Sequence, residues 1–478
     1  MEALEAQAAG QLELAETRLR SALMLAPGRE SLLVNLAGVL IEAGKIDAAV
    51  PCCEQVLAAN PAHAQAWMNL ALCHYRADRS GPALEAIRRS LALEASAAAF
   101  GNLGNILIES GQTAEALAAF DEAVRLEPED AAWHTARGTA LRMLERLPEA
   151  AAAHHTALRI DPDCADAHWN LAGVDLTEGR YEAGWRGFEW RWRTTDPVRA
   201  GYHGTAPRWQ GQPLAAGENL LLWAEQGLGD TLQFCRYASV LAGRGWRVIL
   251  QVQPPLLRLL QRMDPRVEVV SSAVLPPRHD WQCPLMSVAG LCATRADSIP
   301  AAEAYLAVPE ASLALWQARL GPATRPRIGL MWQGNLQNRT GRGRSLPAAA
   351  LAPLMALPCD FFFVGKEAAA QDLAELRRHG TLADHSAAIA DFADTAAQIA
   401  LMDRVITIDT SVAHLAAGLG RPTLILLGAG ADWRWGTPGA RSTPWYPRHA
   451  TLYRQQPGAD WAPAVAALTA DLAAWLSS

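Results

Sequence analysis

The chain has little lysine, no long unbroken apolar run and no cysteines in C-x-x-C spacing. Of its 42 basic residues only Lys45 and Lys366 are lysines. The longest apolar candidate, 405–427, is interrupted by charged residues and a proline, whereas a membrane helix needs about 18 or more apolar residues. We therefore expect no membrane span. The first residues lack the basic and apolar segments of a signal peptide, which predicts a cytoplasmic protein.

Cysteine use and charge exclude further classes. Eight scattered cysteines in 478 residues indicate reduced thiols rather than a disulfide or zinc framework. The net charge of −7 disfavours nucleic-acid binding. Residues 1–197 contain 17 Lys+Arg against 28 Asp+Glu, and residues 198–478 contain 25 against 21. This asymmetry predicts two parts with different partners and an anionic ligand in the second.

The first part repeats with a period of about 34 residues. Prolines at 27, 61, 128 and 162 follow helix-like segments, and asparagine-leucine pairs at 35, 69, 102 and 170 keep the same register. Glycines at 10, 44, 111 and 179 mark turns between paired helices, and we expect Asp78 and Glu145 to take the same turn position. This pattern resembles the tetratricopeptide repeat and predicts an α-solenoid over 1–197 whose concave face holds a protein or peptide.

From about residue 198 short apolar runs alternate with helical segments, which is typical of parallel α/β sheets. The expected strands are 220–223, 248–252 and 267–270, then 327–332, 361–364, 405–408 and 423–427. We assign 198–322 and 323–478 to two Rossmann-like halves with a ligand cleft at the carboxyl ends of their strands. A final helix over 463–476 is expected to pack across both halves. Three tryptophans within 184–193 are expected to dock the last repeat helix onto this part.

Candidate site residues follow three of these strands. Gly227-Leu228-Gly229-Asp230 precedes a helix expected near Thr231, where glycines admit a ligand and helix N–H groups attract an anion. Helix capping by Asp230 is an equal alternative. The third glycine of a dinucleotide fingerprint is absent, which disfavours an oxidoreductase.

The other two candidates have structural alternatives as well. Asp409-Thr410-Ser411 opens a helix, where its polar groups suit a sugar or a phosphate. Capping of the helix by Asp409 or Thr410 is the alternative. His414, one turn into this helix, either faces the cleft or is a core residue. Lys366 and Glu367 end another strand, where they could meet a phosphate and ribose hydroxyls or form a solvated surface pair.

Together these residues carry a family resemblance. Gly227 to Asp230, Lys366-Glu367, and Asp409-Thr410 followed by His414, Gly420 and Pro422 resemble the heptosyltransferase-type glycosyltransferases. Trp332-Gln333-Gly334-Asn335, Asp432-Trp433-Arg434-Trp435 and Pro444-Trp445-Tyr446-Pro447 are similar to a bacterial subgroup joined to tetratricopeptide repeats, with the layout of flagellin glycosyltransferases.

The resemblance implies a GT-B fold that uses a nucleotide-activated sugar without a bound metal or other cofactor. It implies Asp230 as the general base and Arg344 as an added positive charge at the phosphate. The remaining donor-site residues would be Gly229, Gln333, Lys366, Glu367, Asp409, Thr410, Ser411 and His414.

Three functions remain open from the sequence. The first is a protein glycosyltransferase whose repeats hold the acceptor, because the repeats and the Trp-rich end disfavour a lipopolysaccharide acceptor. The second is a repeat adaptor with a non-catalytic transferase-like domain. The third is an O-linked N-acetylglucosamine transferase, which also carries such repeats.

Overall fold

A computed structural model describes residues 2–194, 201–300, 304–334 and 344–478. It divides into two compact units, Met1–Ala167 and His168–Ser478. The expected boundary at 197/198 lies outside the described residues, as does Asn335, and the three domain ranges stay predictions.

Residues 2–188 form paired helices. The five pairs from α1 to α10 pack as hairpins, for example α3 on α4 and α5 on α6. The helices are α1 Glu2–Ala8, α2 Leu12–Leu25, α3 Glu30–Glu42, α4 Ile46–Ala59, α5 Ala64–Arg76, α6 Ser80–Leu93, α7 Ala97–Glu109, α8 Thr113–Leu126, α9 Ala131–Met143, α10 Leu147–Ile160, α11 Ala165–Thr177 and α12 Tyr181–Phe188. The predicted helical repeats are confirmed.

The turns inside the hairpins require left-handed backbone, which glycine adopts without strain. Gly10, Gly44, Gly111 and Gly179 have φ between 71° and 78°. Asp78 and Glu145 have φ of 56° and 61° at the equivalent turns, so the prediction that they replace glycine is confirmed.

Close helix contact in the array depends on small residues. A Cβ added to Gly104 would lie 2.5 Å from the Phe120 ring, and one added to Gly138 would lie 2.5 Å from the His154 ring. These glycines therefore let a ring from the second helix of a hairpin rest on the backbone of the first.

His154 is fully buried, and neither ring nitrogen has a hydrogen-bond partner among the described residues. Burial lowers the pKa of His154 from 6.5 to about 3. Between these two pH values His154 binds a proton in the unfolded chain but not in the folded array. The free energy of unfolding is therefore highest above pH 6.5 and falls as the pH drops toward 3. The expected loss is about 1.4 kcal/mol per pH unit in that window. His154→Leu should reduce the difference in helix melting temperature between pH 7.5 and pH 5, measured by circular dichroism.

The neighbouring His155 provides a matched control, because it is exposed on the same helix. His155→Leu should leave the pH dependence of melting unchanged. Equal pH dependence in the wild-type protein and His154→Leu would contradict this assignment.

The second unit contains two sheets whose paired strands are all parallel. The first sheet has the order β3-β2-β1-β4. Its strands are β1 Asn219–Trp223, β2 Arg247–Val252, β3 Val267–Ser271 and β4 Trp281–Pro284. The accompanying helices are α13 Leu228–Phe234, α14 Arg236–Gly243, α15 Leu257–Leu260 and α16 Ser287–Leu291. The next helix, α17 Glu310–Leu320, packs against the helix Phe392–Ala400 of the second sheet.

The second sheet has the order β10-β9-β8-β5-β6-β7. Its strands are β5 Arg327–Met331, β6 Asp360–Phe363, β7 Leu382–Asp384, β8 Arg404–Ile408, β9 Thr423–Leu427 and β10 Ala450–Arg454. Its helices are α18 Ala352–Met355, α19 Ala370–Arg377, α20 Phe392–Ala400, α21 Ser411–Gly418 and α22 Ala462–Leu476. Helical repeats followed along the chain by paired parallel sheets confirm the predicted fold class.

Some details differ from the sequence-based expectation. The helix after β1 begins at Leu228 rather than near Thr231, so Asp230 lies in its first turn. The terminal helix α22 packs through Ala464, Leu468 and Leu472 into the core of the second sheet rather than across both sheets. A single apolar stripe of this kind can cover only one surface.

The tryptophan-rich segment that begins in α12 belongs to the second unit and packs, as predicted, against the part of the chain that carries the sheets. Trp185 is buried, and its Nε1 donates to the Thr294 carbonyl at 2.8 Å. Its ring meets the rings of Trp433 and Trp445 edge-on, with centroids 5.4 and 6.4 Å away. Aromatic contacts of this type hold α12 against the loop between β9 and β10.

Candidate active site

A cavity of about 750 Å³ lies between the two sheets. Pro254, Pro255 and Leu228 line it from the first sheet's side. From the second sheet's side it is lined by Met331, Gln333, Gly334, Val364, Gly365, Lys366, Glu367, Ala368, Ala369, Ile389, Ala390, Asp391, Phe392, Thr395, Ser411 and Val412. It therefore includes Gln333, Lys366, Glu367 and Ser411 among the predicted site residues.

An ion-pair cluster connects the two sides beside this cavity. Arg258 at α15 donates through Nη2 to Asp391 and lies 2.8 Å from Asp394, both belonging to the second sheet's side. Asp391 is the N-cap of α20, so this arginine joins α15 to a helix start of the opposite half.

Asp230 lies in the first turn of α13. Its Oδ2 accepts from the backbone N–H of Gly227, the N-cap residue of α13, at 2.9 Å. Its Oδ1 accepts from Arg434 Nη2 at 2.6 Å. The side chain remains 22% exposed, so the carboxylate is held by two donors and still reachable. Burial raises the pKa of Asp230, and the positive charge of Arg434 opposes that rise.

The starts of α13 and α21 approach each other closely. A Cβ added to Gly229 would lie 3.0 Å from His414 Cδ2 and 3.4 Å from Ser411 Cα. A side chain at residue 229 would therefore force the two helix starts apart, which explains glycine there. The expected approach of backbone to ligand at Gly229 stays a prediction.

Asp409 and Arg344 form a second charged pair at the same end of the second sheet. Arg344 Nη1 is 3.6 Å from Asp409 Oδ2. Burial raises the pKa of Asp409, and the negative charge of Asp432 adds to that rise. Thr410 is the N-cap of α21 but makes no side-chain capping hydrogen bond, and its hydroxyl lies 3.4 Å from that of Thr407.

His414 is buried rather than open to solvent. Its Nδ1 lies 2.9 Å from the Tyr446 hydroxyl, and its ring stacks on Trp435 at a centroid distance of 5.2 Å. Burial lowers the pKa of His414 to about 3, so the imidazole is neutral at physiological pH. These contacts favour the core-residue alternative, and a direct donor contact by His414 stays a prediction.

Gln333 organises the loop that carries Lys366 and Glu367. It is buried, its Nε2 donates to the Glu367 carbonyl, and its Oε1 accepts from the Ala369 N–H at 3.4 Å. Lys366 is exposed at the cavity, with Nζ 3.4 Å from the Ala390 carbonyl. Gln333 therefore shapes the cavity wall, while the ammonium of Lys366 is accessible to an anion.

Sequence reasoning assigned no role to the arginine that contacts Asp230. Arg434 comes from the loop between β9 and β10. The one sequence feature that points to it is its position in the segment Asp432-Trp433-Arg434-Trp435, which carries part of the family resemblance. Its Nε also donates to Gln233 Oε1 at 2.6 Å, and its Nη1 donates to Asp432 Oδ1 at 2.8 Å. Two sequence-distant segments thus meet at one carboxylate.

Family models match two parts of the chain. The tetratricopeptide repeat model matches residues 34–99 and 102–163. The model described as glycosyltransferase family 9 (heptosyltransferase) matches residues 361–457, which carry Lys366, Asp409 and His414. The chain joins tetratricopeptide repeats to a glycosyltransferase family 9 domain.

Individual relatives align with different portions of this chain. Protein FlbA of Caulobacter vibrioides is 27% identical over 436 residues, covering 85% of this chain and 72% of FlbA. Protein O-mannosyl-transferase TMTC1 of Mus musculus is 29% identical over 33% of this chain and 17% of its own length. The solved structure of TTC0263, a thermophilic tetratricopeptide repeat protein of Thermus thermophilus, is 21% identical with a TM-score of 0.34, covering 36% of this chain and 95% of that one.

The family 9 match begins at the second residue of β6 and extends through β10. It includes the second sheet's side of the cavity except Met331, Gln333 and Gly334. Asp230 lies outside it, so its role depends on the geometry of α13. None of the helices in the described ranges is long and apolar enough to cross a membrane.

Proposed function

We propose that the protein is a glycosyltransferase that moves a sugar from a nucleotide-activated donor to a protein acceptor held by the repeats. The observation that carries the proposal is the reachable Asp230 carboxylate where the starts of α13 and α21 converge. Repeats of this class commonly present a concave surface to a peptide, which supports a protein acceptor.

In this proposal Asp230 is the general base. The acceptor hydroxyl gives its proton to a remaining lone pair of the carboxylate, and the acceptor oxygen bonds to the anomeric carbon. The bond from that carbon to the phosphate oxygen breaks, and its electron pair leaves with the nucleotide. A carboxylate has about four acceptor positions, so the two hydrogen bonds from Gly227 and Arg434 leave room for this proton.

The leaving phosphate needs positive potential as it gains charge. In this proposal the N–H groups at the start of α21, with Lys366 and Arg344, provide it without a bound metal. The cavity beside Lys366 holds the nucleotide. Its apolar wall of Met331, Val364 and Phe392 packs against the nucleobase of the donor.

A donor screen tests the proposal. The intact protein is heated with UDP-, GDP-, ADP- and CMP-linked sugars, and one nucleotide class should raise the melting temperature. That donor is then incubated with the protein and candidate acceptor proteins, and sugar transfer is followed by intact mass. If the donor binds but is neither transferred nor hydrolysed, the adaptor function is favoured. If no donor raises the melting temperature and none is turned over, the proposal is contradicted.

Lys366 should contribute charge to donor binding. Lys366→Gln is expected to weaken nucleotide-sugar affinity about ten-fold, because a charge-assisted hydrogen bond contributes roughly 1.5 kcal/mol or more. Isothermal titration with the donor found by the screen measures the change. The chain's other lysine provides the control: Lys45 pairs with Glu16 in the repeats at 2.7 Å, and Lys45→Gln should leave donor affinity unchanged.

A further inference from the structure

The loop between β9 and β10 reaches the first half of the unit and ends at the proposed base. Within it Arg434 is 7% exposed, and its guanidinium lies 4.4 Å above the Trp433 ring. The Thr443 hydroxyl donates to the Arg434 carbonyl at 2.5 Å, which links two parts of the loop nine residues apart. The arginine is therefore held in place by its own loop before it meets any ligand.

The guanidinium fork determines which way the carboxylate faces. Nη2 holds Asp230, and Nε holds Gln233 one turn later on the same helix. A guanidinium is planar and rigid, so two contacts on one helix fix its position relative to Asp230. The other carboxylate oxygen is fixed by the Gly227 N–H.

We propose that Arg434 is a positioning residue that orients the Asp230 carboxylate and keeps it ionised for proton abstraction. This inference rests on the proposed function, because it gives Arg434 a role only through Asp230. The loop residue comes from the half of the unit that would hold the donor, so the base becomes competent only when the two halves are joined.

Other charged groups near Asp230 do not replace this contact. Asp432 is itself bound to Arg434 at 2.8 Å, and its negative charge opposes ionisation of Asp230. Arg344 acts on Asp230 more weakly than Arg434 does and lies 3.6 Å from Asp409. His414 on the facing helix is neutral because burial lowers its pKa to about 3.

The test is the pH dependence of donor turnover in Arg434→Gln and Arg434→Lys. An opposite charge this close lowers a carboxyl pKa by about 1 to 3 units, so its loss should move the acid limb of the kcat/KM profile to higher pH by about that amount. Arg434→Lys retains the charge and should keep the limb near its wild-type position, with a lower kcat because the fork is lost. Donor affinity should remain within about two-fold in both variants, which is less than 0.5 kcal/mol.

A matched arginine–aspartate pair away from the cleft provides the control. Arg441 Nη2 donates to Asp471 at 2.6 Å, and Arg441→Gln should leave the profile unchanged. An unmoved acid limb in an active, folded Arg434→Gln would overturn the inference. Loss of donor affinity in that variant would also overturn it, by making Arg434 a donor ligand.

The two hypotheses fail in different ways. Absence of turnover in the wild-type protein with every donor would contradict the proposed function and the inference together.

If Arg434→Gln folds poorly, Arg434→Gln/Asp230→Asn should recover its melting temperature, because the second change removes the uncompensated buried charge. In that case the pH profile of kcat/KM for Arg434→Lys decides alone. An acid limb moved to higher pH despite the retained positive charge would count against the inference.

Discussion

Asp230→Asn is expected to lower the rate of sugar transfer by about 10²- to 10⁴-fold, the usual contribution of a general base. Asparagine keeps the shape of the side chain and can still accept one of the two hydrogen bonds, from Gly227 or Arg434. It cannot take a proton from the acceptor at neutral pH. Folding and donor binding should therefore remain, while kcat falls.

The measurement is transfer by intact mass, together with donor affinity by isothermal titration. Asp471→Asn is the matched control, because Asp471 also accepts from an arginine but lies on the surface with its side chain 50% exposed. Its transfer rate should equal that of the wild-type protein. Full transfer by Asp230→Asn would remove Asp230 from the mechanism.

The second large effect is on stability and concerns the ion pair of Arg191 and Glu225. Arg191 Nε and Nη2 donate to the two Glu225 oxygens at 2.9 Å each, and both side chains are almost completely buried. Glu225 also accepts from the Met286 N–H at 3.0 Å. It lies in the loop between β1 and α13, so the pair ties the residues after α12 to the segment that leads to Asp230.

Arg191→Met is expected to lower the free energy of unfolding by about 3–5 kcal/mol, because it leaves a buried carboxylate without its counter-charge. Urea unfolding followed by tryptophan fluorescence measures this change. Fifteen of the 17 tryptophans lie in residues 168–478, so the signal reports that unit.

Two further variants distinguish a buried charge from simple loss of packing. Arg191→Met/Glu225→Met removes both charges and should recover at least half of the lost stability. Arg186→Met breaks an exposed pair on α12, whose side chains are 76% and 80% exposed, and should cost less than about 1 kcal/mol. Equal losses in the single and double variants would indicate that packing, not charge, determines the effect.

Periodic features of the sequence were sufficient to predict most elements. The 34-residue period located the helical hairpins, including the non-glycine turns at Asp78 and Glu145. Apolar runs located β1, β2, β3, β5, β6, β8 and β9. They missed β4, β7 and β10, which are short, end in proline or follow an irregular loop. Local patterns depend on neighbouring residues, so they identify elements that are long and regular.

The candidate site was only partly predictable. Residues that follow buried strands, such as Lys366 and Asp409, could be placed at one edge because parallel strands end together. The burial of His414 under Trp435 could not be inferred, since the aromatic ring comes from a loop 21 residues farther along the chain. The catalytic role of every one of these residues remains a prediction.

The sequence by itself determined the helical repeats, the parallel α/β class of the second unit and the residues that begin α21. Only the tertiary structure decided that Arg434 meets Asp230, that Gln333 supports a loop rather than facing solvent, and that Arg191 neutralises Glu225. The reason is that secondary structure follows from local periodicity and turn chemistry. The charge and orientation of a buried side chain depend instead on partners that are distant in sequence, which only folding brings within hydrogen-bond distance.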